Sequence, residues 1–406
     1  MLWRESSLER VRACGRVARV EQIGVRAPGP ASGGRAGFSG LATCGSPWAC
    51  PVCAAKIAAE RAGDLGHVLA WATREGHTAA MVTFTMRHNK GHSLRECWDA
   101  LTAAWSSVTS GKAWAGESVA AYDKRLRKWE GDRANDWKGS RPRPRPERTI
   151  GLVERFGVVG FARALEVTYG RNGWHVHLHV VMVLRGQASP DVVRVLGDLM
   201  YGPWSRALGR RGFDVARQFQ GEEDGKGGVH TRTAADAETW LAAYLAKQLA
   251  LEATHGHAKT GRNDSRTPFE LLADVVEHAD ADALDRWHEF EEVSRGRKQL
   301  TWSEGLREMA GLAVEERTDE EIAADEQGGD ADVLLLDSDA WRQVRNEQVD
   351  LLEAAEHGTR SALAWLDIRG ITYTITPAGL QAIGAKTPTQ TTPRRGKPTP
   401  VHKWEG

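Results

Sequence analysis

Apolar and polar positions alternate most regularly from Gly173 to Leu184, GWHVHLHVVMVL. His175, His177 and His179 stand two apart, and Val180 to Leu184 continue as an unbroken apolar run. A strand turns successive side chains to opposite faces, so this pattern predicts three imidazoles on one face and Val176, Leu178 and Val180 on the other. Val158–Tyr169 reads as a second strand and 170–173 as a turn, which together make a hairpin. Ala79–Arg87, AAMVTFTMR, is short, β-branched and aromatic, as a buried strand should be. Phe213–Gln218 and Gly228–Arg232 are shorter strand candidates.

Helical spacing predicts the elements between these strands. Ala54–Glu75 carries Leu65, Val68, Leu69 and Ala72 at helical intervals without proline. Ser93 with Glu96 is a capping-box signature for a helix through Val108, whose apolar face is Leu94, Trp98, Leu101, Ala104 and Trp105. Ser189-Pro190 begins a helix towards Met200, continued by a second helical piece to Leu208. Asp236–Glu252 reads as an Ala- and Leu-rich helix, Pro268–Ser294 as another with Leu271, Leu272, Val275 and Leu284 as core, and Trp302–Leu312 as a short one docked through Trp302 and Leu306. Gly328 and Gly329 suggest a linker. Asp339–Asp367 returns to helix, followed by a small strand over Gly370–Ile375. This organisation predicts an α+β chain: a mainly antiparallel sheet with flanking helices, an N-terminal arm and a helical C-terminal extension. The predicted divisions are an arm with its cysteines and helix over 1–75 and a sheet domain over 76–260 with a basic insertion at about 110–148. A helical extension over 261–315, an acidic linker with a small winged or partner-binding module over 316–386, and a disordered tail over 387–406 complete them.

Charge changes this picture locally. The 406 residues carry 54 basic and 54 acidic side chains. That balance hides a basic block including Lys124, Arg125, Arg127, Lys128, Arg141, Arg143 and Arg145, set against an acidic region from Asp274 to Glu356. Two readings of the basic block compete: a solvated insertion, or a cationic arm along a phosphate backbone. The mixture of Arg, Lys and Trp leans towards the second. No apolar run approaches a membrane span and no charged-then-apolar leader opens the chain, so a cytoplasmic protein is expected.

Candidate chemistry lies at three places. The histidine strand aims nitrogen donors at one point, as a divalent metal requires, or else is a polar, solvent-facing edge. Glu166, late in the preceding strand, can face the histidines across the hairpin as an oxygen ligand, or can be an exposed strand carboxylate. Four of the five cysteines fall in the first 53 residues. Cys50 and Cys53 have the spacing of a metal knuckle, and with Cys14 and Cys44 they form a zinc-site candidate in an arm poor in apolar core. A Cys-x-x-Cys redox pair is the alternative, though no thioredoxin-like pattern surrounds it. Cys97 is expected in the core. The third place is the helix at 236–252, where Tyr244 and Lys247 share a face. A phenol with an ordinary pKa near ~10 needs a nearby cation or metal to act as a nucleophile. Lys247 offers one, or can hold a phosphate; alternatively the ring packs in the core and the lysine points outward.

In combination these residues resemble a known family. His177-Leu-His179 followed by Val180, Val181 and Met182 is similar to the His-hydrophobic-His motif of HUH endonucleases, and Tyr244-Leu-Ala-Lys247 to their single-tyrosine motif. Val82-Thr83-Phe84-Thr85 and the cysteines Cys44 to Cys53 resemble the upstream strand motif and cysteine cluster of plasmid rolling-circle replication initiators. Arg295–Arg307 is similar to a downstream segment of actinobacterial members, so the resemblance covers about Cys14 to Leu312. It implies an HUH-type sheet and a metal-dependent, site-specific nicking enzyme. Mg²⁺ or Mn²⁺ would sit at His177, His179 and Glu166, with His175 as a further ligand. Tyr244 would be the nucleophile, Lys247 its phosphate-holding neighbour, and the double-strand origin of a plasmid the DNA partner, with a host helicase as a further one. Two departures stand out: Glu238 lies six residues before the tyrosine where some members have a closer glutamate, and His175 is an extra histidine. The alternatives are a zinc-stabilised origin-binding protein that does not nick, and an HUH transposase or relaxase.

Overall fold

The computed structural model describes residues 2–28, 36–134, 144–215, 228–233, 265–325 and 331–385. Its strands are β1 (Ile23–Arg26), β2 (Gly37–Ser39), β3 (Thr78–Phe84), β4 (Val158–Gly170), β5 (Gly173–Leu184), β6 (Val229–Thr233), β7 (Leu300–Trp302), β8 (Leu334–Leu336) and β9 (Thr374–Ile375). They form two sheets, and the chain divides into two compact units, one of residues 47–317 and one combining 1–46 with 318–406.

The larger unit holds a five-stranded antiparallel sheet in the order β6-β3-β5-β4-β7, with the histidine strand β5 at its centre. β4 and β5 are joined through Arg171-Asn172, and Gly170 pairs with Gly173. Positive φ falls not on these two central residues but on Gly173, at φ +85°, a left-handed glycine directly after the turn as in a glycine bulge. A Cβ there would also lie 3.0 Å from the Lys90 Cα.

Both faces of this sheet are covered, which is why β5 reads as nearly continuous apolar sequence. On one face the helix Pro51–Arg74 lays Leu65 and Leu69 on Ala79, Met81, Ala162, Ala164, Val181 and Leu300. On the other, the helices Leu94–Val108 and Pro190–Gly209 bring Trp105 and Trp204 against Phe84, with ring centroids 5.4 and 4.9 Å apart. The predicted capping box is present, with Ser93 Oγ accepting from the Glu96 amide and the Glu96 carboxylate accepting from the Ser93 amide. The core positions read from the Ala54–Glu75 and Ser93–Val108 periodicities are buried, as is Cys97.

Four elements differ from the sequence reading. Trp302 does not begin a helix: Leu300–Trp302 adds β7 to the sheet edge against Ala162–Ala164, and only Leu306–Met309 is helical. Leu306 still docks, buried with Val68, Ala72 and Val183. The helix expected over Pro268–Ser294 is two helices, Pro268–His278 and Ala281–Ser294, because Ala279 turns left-handed at φ 52° and Asp280 caps a new start. Asp339–Asp367 is likewise covered by three helices, Ser338–Val344, Gln348–Glu356 and Thr359–Ile368, with Gly358 at φ 104° before the last. Phe213–Val215 is not strand, and 216–218 lie outside the described residues.

In the second unit, β1 of the N-terminal segment pairs with both β2 and β8, giving the order β2-β1-β8-β9. The sequence reading separated the N-terminal arm from the C-terminal module. Here they share a core of Ile23, Val25, Leu334, Leu336, Trp341, Leu351 and Leu366. Pairing of β1 with β8 brings the apolar side chains of both segments into this one core.

Candidate metal site on the central hairpin

Strand register assembles the site. Glu166 on β4 lies directly opposite His177 on β5, Thr168 opposite His175, and Ala164 opposite His179. On the other side of β5, Thr83 of β3 lies opposite His179. These side chains continue, towards the turn, the face that the helix Pro51–Arg74 covers further along. Val176, Leu178 and Val180 are fully buried on the opposite face.

His179 is 5% exposed and has a partner on each ring nitrogen. Its Nε2 lies 2.8 Å from Glu166 Oε2 and its Nδ1 lies 3.0 Å from Thr83 Oγ1. An ionised carboxylate only accepts, so Nε2–H donates to Glu166. Burial raises the Glu166 carboxyl, but the hydrogen bond from His179 and the charges of the three imidazoles outweigh it, holding the group below the usual carboxylate range. Burial, reinforced by neighbouring His175, pushes His177 down to about 3. Burial and His88 push His175 down to about 4. Both rings are therefore neutral at pH 7, the form that binds metals. His175 Nε2 and His177 Nε2 touch, and the His88 ring lies 4.6 Å from that of His175.

Glu166, His177 and His179 offer ligand atoms that all lie within 4.8 Å of one another. His175 is not part of that set. Two imidazoles and an ionised carboxylate are a mixed nitrogen and oxygen donor set suited to a divalent cation, and they stand on paired central strands that need no ordering. Of the other four candidate ligands, Cys14 and Cys44 lie in the smaller unit and Cys50 and Cys53 at the start of the larger one. None of these cysteines is in a disulfide. Four free thiols are a donor set that suits a tetrahedral thiophilic ion.

The remaining site candidates are dispersed. Tyr244, Lys247 and Glu238 lie outside the described residues, as do Arg141 and Arg143. Lys124, Arg125 and Arg127 are exposed on the helix Val119–Ala134. Arg125 is held by Glu117 through two bonds, of 3.1 and 2.6 Å. Tyr169 pairs with Trp174 in the register, so it belongs to the hairpin face opposite Glu166, with its ring 5.0 Å from Trp174 and under Arg286. Two contacts were missed by sequence reasoning, the Thr83 hydroxyl on His179 and the His88 ring on His175. The signal for the first was there: Thr83 interrupts the apolar run Ala79–Phe84.

Fold and site together define a class: an antiparallel-sheet protein whose central hairpin carries a carboxylate and imidazole group able to hold a metal. Among the described residues no helix is long and apolar enough to cross a membrane. The chain is 32% identical over 353 residues to Protein rep of Streptomyces lividans, an alignment spanning 77% of this chain and 74% of that protein. It belongs to the family of that Rep protein. A shorter match, 30% identical over 153 residues, links 37% of this chain to 32% of a neomycin resistance protein of Streptomyces cyanogenus. No family model and no solved structure matches the chain.

Proposed function

We propose that this chain is a plasmid rolling-circle replication initiator of the HUH type, binding the double-strand origin and nicking one strand there. The observation that carries the reading is the Glu166, His177 and His179 group on the central hairpin of a Rep-family chain. Bound there, Mg²⁺ or Mn²⁺ supplies charge neutralisation at the scissile phosphodiester. His177 and His179 present ring nitrogens, and Glu166 supplies the negative charge that such a cation requires. Thr83 and the β4 register keep these side chains in place before DNA arrives, so little ordering accompanies binding.

Tyr244 is the proposed nucleophile and Lys247 the cation that holds the phosphate beside it. The phenol oxygen forms the bond to phosphorus, the bond from phosphorus to the 3′ oxygen breaks, and that oxygen takes up the proton the phenol gives up. The products are a 5′-phosphotyrosine link and a free 3′-hydroxyl that primes synthesis. The retained phosphodiester allows the same chemistry to run backwards and rejoin the strand. Zn²⁺ is assigned to Cys14, Cys44, Cys50 and Cys53 in a structural role. Lys124, Arg127, Arg141 and Arg143 are assigned to the DNA backbone, where each contributes to affinity and none to sequence choice. A host helicase would continue from the nick, in the cytoplasm.

The test is a supercoiled circle carrying the cognate origin, incubated with the full chain and Mg²⁺. The enzyme should relax it and retain a radiolabelled 5′ end. Tyr244→Phe should abolish the covalent link while origin binding persists. A circle left intact by wild-type protein that binds it would instead identify a non-nicking origin binder.

A further inference from the structure

The hydroxyl of Thr83 is 3.0 Å from Nδ1 of His179, from a neighbouring strand and 96 residues earlier in the chain. Antiparallel register sets the two residues opposite each other, and β-branching restricts the threonine's χ1. The imidazole is buried, so water does not substitute freely for this partner.

In the metal-free chain Nε2 faces the acceptor-only Glu166 carboxylate at 2.8 Å. A neutral ring has one proton, and that contact places it on Nε2. Nδ1 is then a bare lone pair and must accept from Thr83 Oγ–H. To act as a ligand, Nε2 must offer its own lone pair, so the proton has to sit on Nδ1. The same nitrogen then becomes a donor and needs an acceptor at the same point. A hydroxyl can be either. A carboxylate or an ammonium at this position would favour one tautomer, and an apolar side chain would take this partner from Nδ1 in both.

We infer that Thr83 is a positioning residue for His179, reversing its hydrogen bond as the imidazole exchanges the Glu166 contact for a divalent cation. The proton count of the ring is unchanged, with one proton leaving Nε2 and one arriving at Nδ1. The inference rests on the metal assignment made above but not on the nicking chemistry.

The experiment uses the full chain without DNA, so that metal binding is read apart from strand cleavage. Mn²⁺ affinity, followed by electron paramagnetic resonance, should fall by about 10- to 100-fold in Thr83→Val, the range typical for loss of an outer partner of a metal-bound histidine. Thr83→Ser, which keeps the hydroxyl, should bind close to wild type. Nitrogen-15 resonances of His179 should show a bare Nδ1 without metal and a protonated Nδ1 at saturating Mg²⁺. Thermal melts of the metal-free variants separate a folding defect from a binding one; if Thr83→Val unfolds, the serine variant and the ring-nitrogen spectra still decide.

Wild-type affinity in a folded Thr83→Val chain overturns the inference, as does a His179 already protonated at Nδ1 before metal is added. Failure of the wild-type chain to take up Mn²⁺ removes it together with the metal site. Metal uptake and tautomer exchange as expected, in a protein that nicks nothing, would leave Thr83 in its role and sink only the nickase.

Discussion

The hairpin group and the cysteine group are built in opposite ways. Glu166, His177 and His179 come from two paired strands at the centre of a sheet, with Val176, Leu178 and Val180 packed on the reverse face. Cys14 follows the five-residue helix Glu9–Ala13, Cys44 lies in a loop, and Cys50 and Cys53 open the helix Pro51–Arg74. The first group is held by a lattice of backbone hydrogen bonds whether or not an ion is present. The cysteines stand on short, separate pieces of chain, the kind of scaffold whose geometry a bound ion helps to define. Donor chemistry follows the same line, with nitrogen and oxygen ligands for an exchangeable hard cation and thiolates for a permanently held soft one. Rigid scaffolding thus marks the group suited to chemistry, and dependence on the ion marks the group suited to structure.

Breaking each group should therefore show different losses. On the proposed function, the largest effect is expected from His177→Ala, which would remove a metal ligand from the hairpin without emptying its apolar face. Several kcal/mol of charge stabilisation lost at the phosphate corresponds to a nicking rate lower by about 10³-fold or more. The thermal midpoint of the metal-free chain should barely move, and a large fall would show that the hairpin also depends on its ligands for structure. Cys50→Ser should do the converse. It should release zinc, detectable by elemental analysis, and cost on the order of several kcal/mol of stability in denaturant titration, given the ~10 kcal/mol or more that structural zinc supplies to small peptides. Nicking per folded molecule should be retained, whereas selective loss of nicking with unchanged stability would erase the distinction.

The smallest effect is one of pH. His177 and His175 titrate at about 3 and about 4 in the fold, against ~6.5 in an unfolded chain. Below ~6.5 the unfolded chain binds protons that the folded chain refuses, so stability of the metal-free protein falls as pH drops and levels off only below the folded values. The lowered Glu166 carboxyl adds a further loss in the acid range. Denaturant midpoints of metal-free protein should decline from pH 7 to pH 5, and a double change of His175→Gln and His177→Gln should flatten that decline. A slope unchanged in the double variant would move its origin to other groups.

Much of this architecture was legible because it is local. Side-chain alternation places three histidines on one face, glycines at 170 and 173 close a two-residue turn, and Ser93 with Glu96 starts a helix, each within a few residues of sequence. Misreadings arose where local pattern was overridden. Leu300-Thr301-Trp302 precedes helical sequence yet fills the open edge of β4, and a positive φ at Ala279 divides one apparent helix into two. No sequence period announces either event.

By itself the chain determined which residues share a face and which spacings can gather ligands, since those follow from the two-residue and 3.6-residue repeats of strand and helix. Only the tertiary structure decided that Glu166 stands beside His177, that Thr83 meets His179, and that Val25 of the N-terminal segment pairs with Leu334 near the other end. Partner and register depend on which strands close the sheet together, and a shift of one residue would turn every one of these side chains to the opposite face.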